Sequence, residues 1–331
     1  MAGPKPQCGS EKEEQGYDLG LHVLGLFLVL IFSIVGCGFP VVAKKIKWVK
    51  MPPKIFFACK HFGTGVLVAT AFVHLLPTAF RSLGDPCLPD LFTDDYPPLP
   101  GVIMMVSMFS LFVIEMVLNA KTGGHSHGGP TGDDIVINDK ASGVTASTTP
   151  AEEGMVVHEE EAREISPAEF KKMSANISLL EGGILFHSIF VGMTVSITVD
   201  GFVVLLIAIL FHQMFEGLGL GSRIAAVPYP KKSIRPWLLV LAFGTTAPIG
   251  QAIGLVSRKS YDEKSALGLI IVGVFNSISA GLLLYAALVD LLAEDFLSDE
   301  ANKLMNGKKK AVAFGWVLFG AAGMSVVGIF A

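Results

Sequence analysis

The sequence predicts an all-α polytopic membrane protein with eight transmembrane helices, because its composition is apolar and its apolar residues form long runs. Of its 331 residues, 51% are hydrophobic and 16% are charged, whereas soluble domains carry about 25% charged residues. A helix that crosses a bilayer takes about 20 residues. We expect the spans at 19–40, 55–79, 100–119, 177–199, 202–221, 236–257, 266–290 and 312–330.

A single long polar connection separates the third span from the fourth. It holds few apolar residues, so it cannot build a core and is expected to be disordered. At its end, Ser166, Pro167 and Glu169 form a typical helix start, with Ser as N-cap and Pro in the first position. We therefore divide the chain into an extracellular segment at 1–18, helices at 19–120, a cytosolic loop at 121–172 and helices at 173–331.

The number of Lys and Arg residues alternates between high and low along the short connections, and this pattern predicts the orientation in the membrane. The first, fifth and seventh connections are rich in them, and the second, fourth and sixth hold few. The positive-inside rule places the rich connections in the cytosol. Both termini are then extracellular, and without a retention or vacuolar signal we expect the plasma membrane. Cys8 and Cys87 share the outer side, where a disulfide or two free thiols are equally compatible with the sequence.

The fourth and fifth spans carry polar residues near their centres. His187 and Ser188 lie in the fourth, and His212, Gln213 and Glu216 lie in the fifth. An ionisable residue inside a span costs about 2.5–3.5 kcal/mol on insertion scales and commonly marks an ion path. His212 and Glu216 share one helix face because they are four residues apart.

The turn between these two spans is short, so they should be antiparallel neighbours that bring His187 beside His212 and Glu216. Two imidazoles and a carboxylate are suited to a divalent transition metal, zinc first. The alternative is that these residues are structural polar contacts between helices.

Other polar residues extend this interpretation. His74, just before Pro77 in the second span, could complete the metal shell or line the entrance. Glu181 lies on the cytosolic side of His187 and could receive the metal on exit. In the long loop, His125 and His127 lie between glycines and could tether metal weakly, with a plain solvated linker as the alternative.

The stretches around His187-Ser188 and His212-Gln213, with Glu216-Gly217, resemble the ZIP (Zrt/Irt-like) family of divalent-metal transporters, in its plant and fungal branch. The stretches 69–77, 246–250, 279–281 and 288–292 are also similar to that family. The resemblance implies eight helices, extracellular termini, a homodimer and an elevator-type uptake of metal into the cytosol. It also implies a metal site between the fourth and fifth spans.

Carried over by position, His187, His212 and Glu216 are metal ligands and His74 contributes from the second span. The positions of Ser188 and Gln213 line a second, adjacent site in some members. Val191 stands where many members have a bridging carboxylate, and Ala247 where some have Glu. A centre with two metal ions is therefore not expected in this chain.

The most consistent function is zinc uptake into the cytosol, with an iron- or manganese-preferring transporter of the same family as the alternative. The expected partners are divalent metal ions, the lipid bilayer and a second copy of the chain, without nucleic acid. We expect no enzymatic activity and no cofactor, Zn²⁺ being the transported substrate. Two further alternatives are an intramembrane metal-dependent hydrolase and a metal sensor.

Overall fold

The computed structural model describes residues 5–9, 16–45, 52–122, 167–230, 232–258 and 264–330. Throughout these ranges the regular structure is helical, and eight helices are long and apolar enough to cross a membrane. The predicted all-α membrane fold is thereby confirmed. Residues 123–166, which make up most of the predicted loop and include His125 and His127, lie outside the described residues.

Six of the eight membrane helices are continuous α-helices, and two contain a wider π-helical stretch. The second helix, α2, runs as Pro53–Ala69, π-helical Thr70–Leu75 and Leu76–Leu83, and the seventh, α7, as Ala266–Tyr285, π-helical Ala286–Ala293 and Glu294–Leu297. The others are α1 Leu19–Lys45, α3 Leu99–Thr122, α4 Pro167–Ile197, α5 Phe202–Ala226, α6 Arg235–Ser257 and α8 Gly307–Val327.

Each expected span falls on one of these helices, but most of the helices are longer than the spans. α4 begins at Pro167, as the helix-start motif predicts, well before the expected span. α1 continues through Pro40 to Lys45. Hydropathy marks only the apolar middle of a helix, whereas its backbone hydrogen bonds continue into the polar ends. The helices therefore take up both ends of the predicted loop.

Glycines allow α1, α4, α5 and α6 to pack closely, and we call these four helices the ligand group. Gly217 and Gly221 of α5 lie so close to the backbone of Cys37 in α1 that an added Cβ would overlap it. Gly250 of α6 lies equally close to the backbone of Ile189 in α4. Helices in lipid are not held together by the hydrophobic effect. They depend on close van der Waals packing, which small residues at the contacts permit.

The remaining helices, α2, α3, α7 and α8, form a second group, which we call the support group. Gly65 of α2 lies against the backbone of Val317 in α8, and Gly281 of α7 lies against Met104 of α3. The two groups meet where α5 crosses α2, with Gly219 directly against Gly63. The α2–α5 contact is the most extensive of the contacts between the two groups, which also meet where α4 packs against α7.

The N-terminal segment is joined covalently to the connection between α2 and α3. Cys8 and Cys87 form a disulfide with their Cα atoms 5.2 Å apart, which settles the choice that the sequence leaves open. Beside it, Lys5 Nζ donates to the Leu88 carbonyl oxygen at 2.7 Å and pairs with Asp90 at 2.6 Å. The hydrogen bond to Asp90 raises the pKa of Lys5.

Candidate metal centre

Three predicted ligands from two helices of the ligand group converge in the protein interior. His187 comes from α4, and His212 and Glu216 come from α5. Each offers one ligand atom, and these atoms all lie within 4.8 Å of one another. The residues are buried, with exposures of 2%, 0% and 0%. The short turn after α4 and the four-residue spacing on α5 thus bring the three side chains together, as the sequence predicts.

His74 approaches the same centre from the support group. Its ring centroid lies 5.5 Å from those of both His187 and His212, and its side chain is only half-buried. His74 belongs to the π-helical turn Thr70–Leu75, which is followed by Pro77. Proline has no backbone N–H to donate to the preceding turn, and π-helical turns are frequent at functional sites. His74 is therefore positioned at the accessible side of the centre.

The polar atoms of the three buried ligands lack hydrogen-bond partners among the described residues. This applies to both ring nitrogens of His187 and His212 and to both oxygens of Glu216. His212 Nε2 lies 3.4 Å from Glu216 Oε2, too far for a good hydrogen bond. An unsatisfied buried polar atom costs about 1–3 kcal/mol, and a divalent cation would satisfy several of these atoms at once.

Ser188 and Gln213 lie beside the ligands but make other contacts. Ser188 Oγ donates to the Ile184 carbonyl oxygen of its own helix at 2.9 Å. Gln213 Nε2 donates to Ser33 Oγ of α1 at 3.1 Å, which leaves the Gln213 side-chain oxygen without a partner among the described residues. Gln213 therefore has a side-chain oxygen available, while Ser188 Oγ, which donates, can still accept. Ser33, the partner of Gln213, was not identified from the sequence.

Glu181 is located in α4, away from the group of three ligands. It is 3% exposed, and its Oε1 atom has no hydrogen-bond partner among the described residues. Its place on α4 is about one and a half turns before His187. A buried carboxylate oxygen that is still available fits the predicted role of a further stop for a cation.

Val191 and Ala247, at the two positions where the family resemblance would allow a further carboxylate, are apolar. Both are buried, at 8% and 1% exposure, and they belong to one hydrophobic cluster with Val29 and Val195. Glu216 is therefore the sole acidic member of the metal-binding group found among the described residues.

Two buried features at opposite ends of α5 could not be identified from the sequence. His22 stacks between Tyr17 and Phe202, with ring centroids 4.1 and 3.8 Å away, and it ties the start of α1 to α5. Arg223 of α5 is 7% exposed and pairs with Asp295 of α7. The sequence shows Arg223 only as one more cation in a basic connection, although it lies on the same helix face as Glu216.

Comparison with known proteins supports this architecture over nearly the whole chain. The family described as ZIP zinc transporter matches residues 19–328. The chain is 34% identical to "Zinc-regulated transporter 2" of Saccharomyces cerevisiae, over 93% of this chain and 94% of that protein. It is 30% identical to "Zinc transporter 9" of Oryza sativa, over 98% and 94%, and 31% identical to rice "Fe(2+) transport protein 2", over 98% and 90%. This protein therefore belongs to the ZIP family of divalent-metal transporters.

Proposed function

We propose that the protein takes up Zn²⁺ into the cytosol and that His187, His212 and Glu216 bind the ion midway. The observation that carries this proposal is the convergence of their ligand atoms within 4.8 Å, combined with the absence of protein partners for those atoms among the described residues. The names of the relatives, which include both zinc and iron transporters, support a divalent metal and leave Fe²⁺ as the nearest rival.

The ligand chemistry favours zinc while allowing other cations. Zn²⁺ is commonly held by imidazole and carboxylate groups, often with an open position for water. Three protein ligands and a half-buried His74 give such a set without enclosing the ion completely. Imidazole also accepts other transition metals, so the preferred cation depends on competition among them.

One ion is bound per protomer in this proposal. Two divalent cations a few ångströms apart repel each other strongly at low dielectric. The apolar cluster around Val191 and Ala247 offers no bridging carboxylate. Glu216 alone supplies too little negative charge for two ions. Gln213 and Ser188 then line the site without holding a second metal.

The route runs from His74 on the outer side, through the three ligands, to Glu181 on the cytosolic side. Four of the five residues on this route belong to the ligand group, and the fifth, His74, belongs to the support group. Movement of the ligand group along the α2–α5 contact would carry the ion in an elevator manner. This route assumes the orientation predicted by the positive charges, with both termini outside.

The lipid bilayer and a second copy of the chain are the proposed neighbours of the outer helices. α3 exposes large apolar residues along most of its length, including Phe109, Phe112 and Met116. Such an apolar surface is favourable in contact with lipid chains or with a second copy of the protein. We assign a homodimer in the plasma membrane, with the loop histidines His125 and His127 as a weak cytosolic metal tether.

The decisive experiment is radioactive zinc uptake by purified protein in proteoliposomes, with Fe²⁺ and Mn²⁺ as competitors. We expect unlabelled Zn²⁺ to reduce the uptake of radioactive zinc more strongly than Fe²⁺ or Mn²⁺ does. Preferential competition by Fe²⁺ or Mn²⁺ would replace zinc by that cation. Turnover of a peptide or lipid substrate without flux would favour a hydrolase, and metal binding without flux would favour a sensor.

A further inference from the structure

A second buried polar cluster lies between the ligand group and the support group, and it is centred on Arg223 of α5. The Arg223 guanidinium donates to both carboxylate oxygens of Asp295, at 3.2 Å from Nη1 and 2.5 Å from Nη2. Nη2 also donates to Thr64 Oγ1 of α2 at 2.5 Å. Lys60 Nζ pairs with Asp295 Oδ1 at 2.8 Å. We call these four residues the Arg223 cluster.

The cluster lies beyond the metal centre on the same helix. Arg223 follows Glu216 by two turns of α5, about 10 Å along the axis, and projects from nearly the same face. Between them Leu220 is fully buried, and Gly219 lies against Gly63 of α2. The contact between α5 and α2 is therefore closed from the metal centre down to the Arg223 cluster.

The Arg223 cluster lies at the end of the α2–α5 contact, where the buried interface gives way to exposed residues. Arg223 and Asp295 are each 7% exposed, whereas the Lys60 side chain is 29% exposed. The connections at this end of α2 and α5 are those that the positive-inside rule assigns to the cytosol. An ion that leaves the centre along the α2–α5 contact would meet these residues last.

The charges of the cluster oppose the passage of a cation. Two cations, Arg223 and Lys60, share the carboxylate of Asp295, so these residues carry net positive charge, and the next negative group is the exposed Glu294, which acts on Lys60. A divalent cation is repelled by such charge, and the repulsion grows as the surroundings exclude water. Buried ion pairs contribute little to stability compared with apolar replacements, which makes a purely structural role a weak reason for this arrangement.

The members of the cluster are divided unevenly between the two groups of helices. Lys60 and Asp295 both belong to the support group, and Arg223 belongs to the ligand group. When α5 moves away from α2, Arg223 leaves and the Lys60–Asp295 pair stays together. The carboxylate is then not left unpaired, which removes the main penalty for opening a buried ion pair.

We propose that Arg223 is a gating residue, whose contacts with Asp295 and Thr64 close the α2–α5 interface below the metal centre and must open before the ion is released. The gate rests on the proposed function, because it acts on release of the transported ion. Arg223 does not touch the ion in this arrangement. It controls whether the route beyond Glu216 and Leu220 is accessible.

The test uses a thiol placed between the centre and the gate. Leu220→Cys introduces it in a background with Cys37→Ala and Cys59→Ser, which removes the two free cysteines. A membrane-impermeant maleimide is applied to vesicles from each side separately. Arg223→Gln is then introduced into this background. This substitution leaves the ion pair between Lys60 and Asp295 in place, so no unpaired charge remains. Arg235→Gln, an exposed arginine of the same group that contacts Ser178, is the matched control.

We expect Arg223→Gln to raise the labelling rate about tenfold from the Lys60 side, as the loss of charge-assisted hydrogen bonds predicts. Labelling from the other side, the melting temperature and zinc binding at equilibrium should not change. The Arg235→Gln variant should match its parent. Equal labelling rates in all three proteins would overturn the gate.

Two further measurements keep the outcome interpretable. If Arg223→Gln does not fold, Thr64→Val removes one contact of the guanidinium and should raise labelling by a smaller factor, while unchanged labelling would overturn the gate. Zinc flux is measured on the same vesicles. Faster labelling without flux in the parent would refute the proposed transport and leave the gate intact, whereas normal flux with unchanged labelling would refute the gate alone.

Discussion

Two polar clusters on α5 are buried to a similar degree but differ in how their atoms are satisfied. At the metal centre, the ring nitrogens of His187 and His212 and the oxygens of Glu216 have no hydrogen-bond partner among the described residues. Two turns further on, both oxygens of Asp295 and both terminal nitrogens of Arg223 have partners, although Arg223 Nε has none among the described residues. The first cluster leaves its polar atoms available to a ligand, whereas in the second the charged groups of three helices mostly satisfy one another.

This difference determines what each cluster contributes to the free energy of unfolding. Unpaired buried groups cost stability, so neutralising one of them at the metal centre should leave the fold intact. Paired buried charges are interdependent, so removing the one carboxylate that Arg223 and Lys60 share leaves both cations without a counter-charge. The following predictions separate the two clusters by measuring transport and stability on the same variants.

The largest effect on transport is expected from Glu216→Gln. It removes the negative charge of the ligand set but keeps the shape of the side chain, so zinc uptake should be abolished while the protein stays folded in the membrane. The measurement is zinc uptake, together with the melting temperature of the purified protein. Asp200→Asn, at an exposed position in the turn between α4 and α5, serves as the control, and normal uptake by Glu216→Gln would disprove the site.

His187→Ala and His212→Ala should each abolish uptake, and the double variant should be no worse than either single one. Residues that act as one unit are not additive, because the first substitution already destroys the site. Equilibrium binding of zinc to the three purified variants measures this directly. Independent, additive losses of affinity would mean that the two imidazoles do not share one ion.

Asp295→Asn should act mainly on stability. It leaves Arg223 and Lys60 without a counter-charge in a buried position, which costs about 3–5 kcal/mol when a buried pair is broken. Chemical or thermal unfolding of the variant, compared with Glu216→Gln, tests this contrast. A loss of stability at Glu216→Gln as large as that at Asp295→Asn would remove the distinction between the two clusters.

The smallest effect is expected from deletion of residues 123–160, which carries away His125 and His127. Uptake should remain largely intact because the segment lies outside the eight helices. The measurement is initial uptake at high and at scarce zinc, normalised to the amount of protein at the cell surface. Complete loss of uptake at normal surface levels would place the loop in the transport path.

The sequence could predict the helices and the convergence of the three candidate ligands because both depend on local patterns. Long apolar runs mark spans regardless of their neighbours, and the spacing of His212 and Glu216 places them on one face. The short turn before α5 then predicts the proximity of His187. The π-helical turn that carries His74 was not predicted, although Pro77 was a visible signal for an irregularity.

The Arg223 cluster could not be predicted from such patterns. Its members come from α2, α5 and α7, with Arg223 and Asp295 separated by 72 residues, and nothing local distinguishes Arg223 from other cations in a basic connection. The same holds for the contact of Gln213 with Ser33 across 180 residues. Such pairings depend on how the helices pack, which is set by glycine contacts between backbones rather than by hydropathy.

We propose that one metal ion is held within the membrane by His187, His212 and Glu216. Anomalous diffraction at the zinc absorption edge, from crystals of protein lacking residues 123–160, can test this binding mode. We expect a single strong peak per protomer between these three side chains. Two fully occupied peaks between α4 and α5 would contradict it, because Ser188, Gln213 and water would then be doing what is assigned here to a carboxylate that the chain lacks.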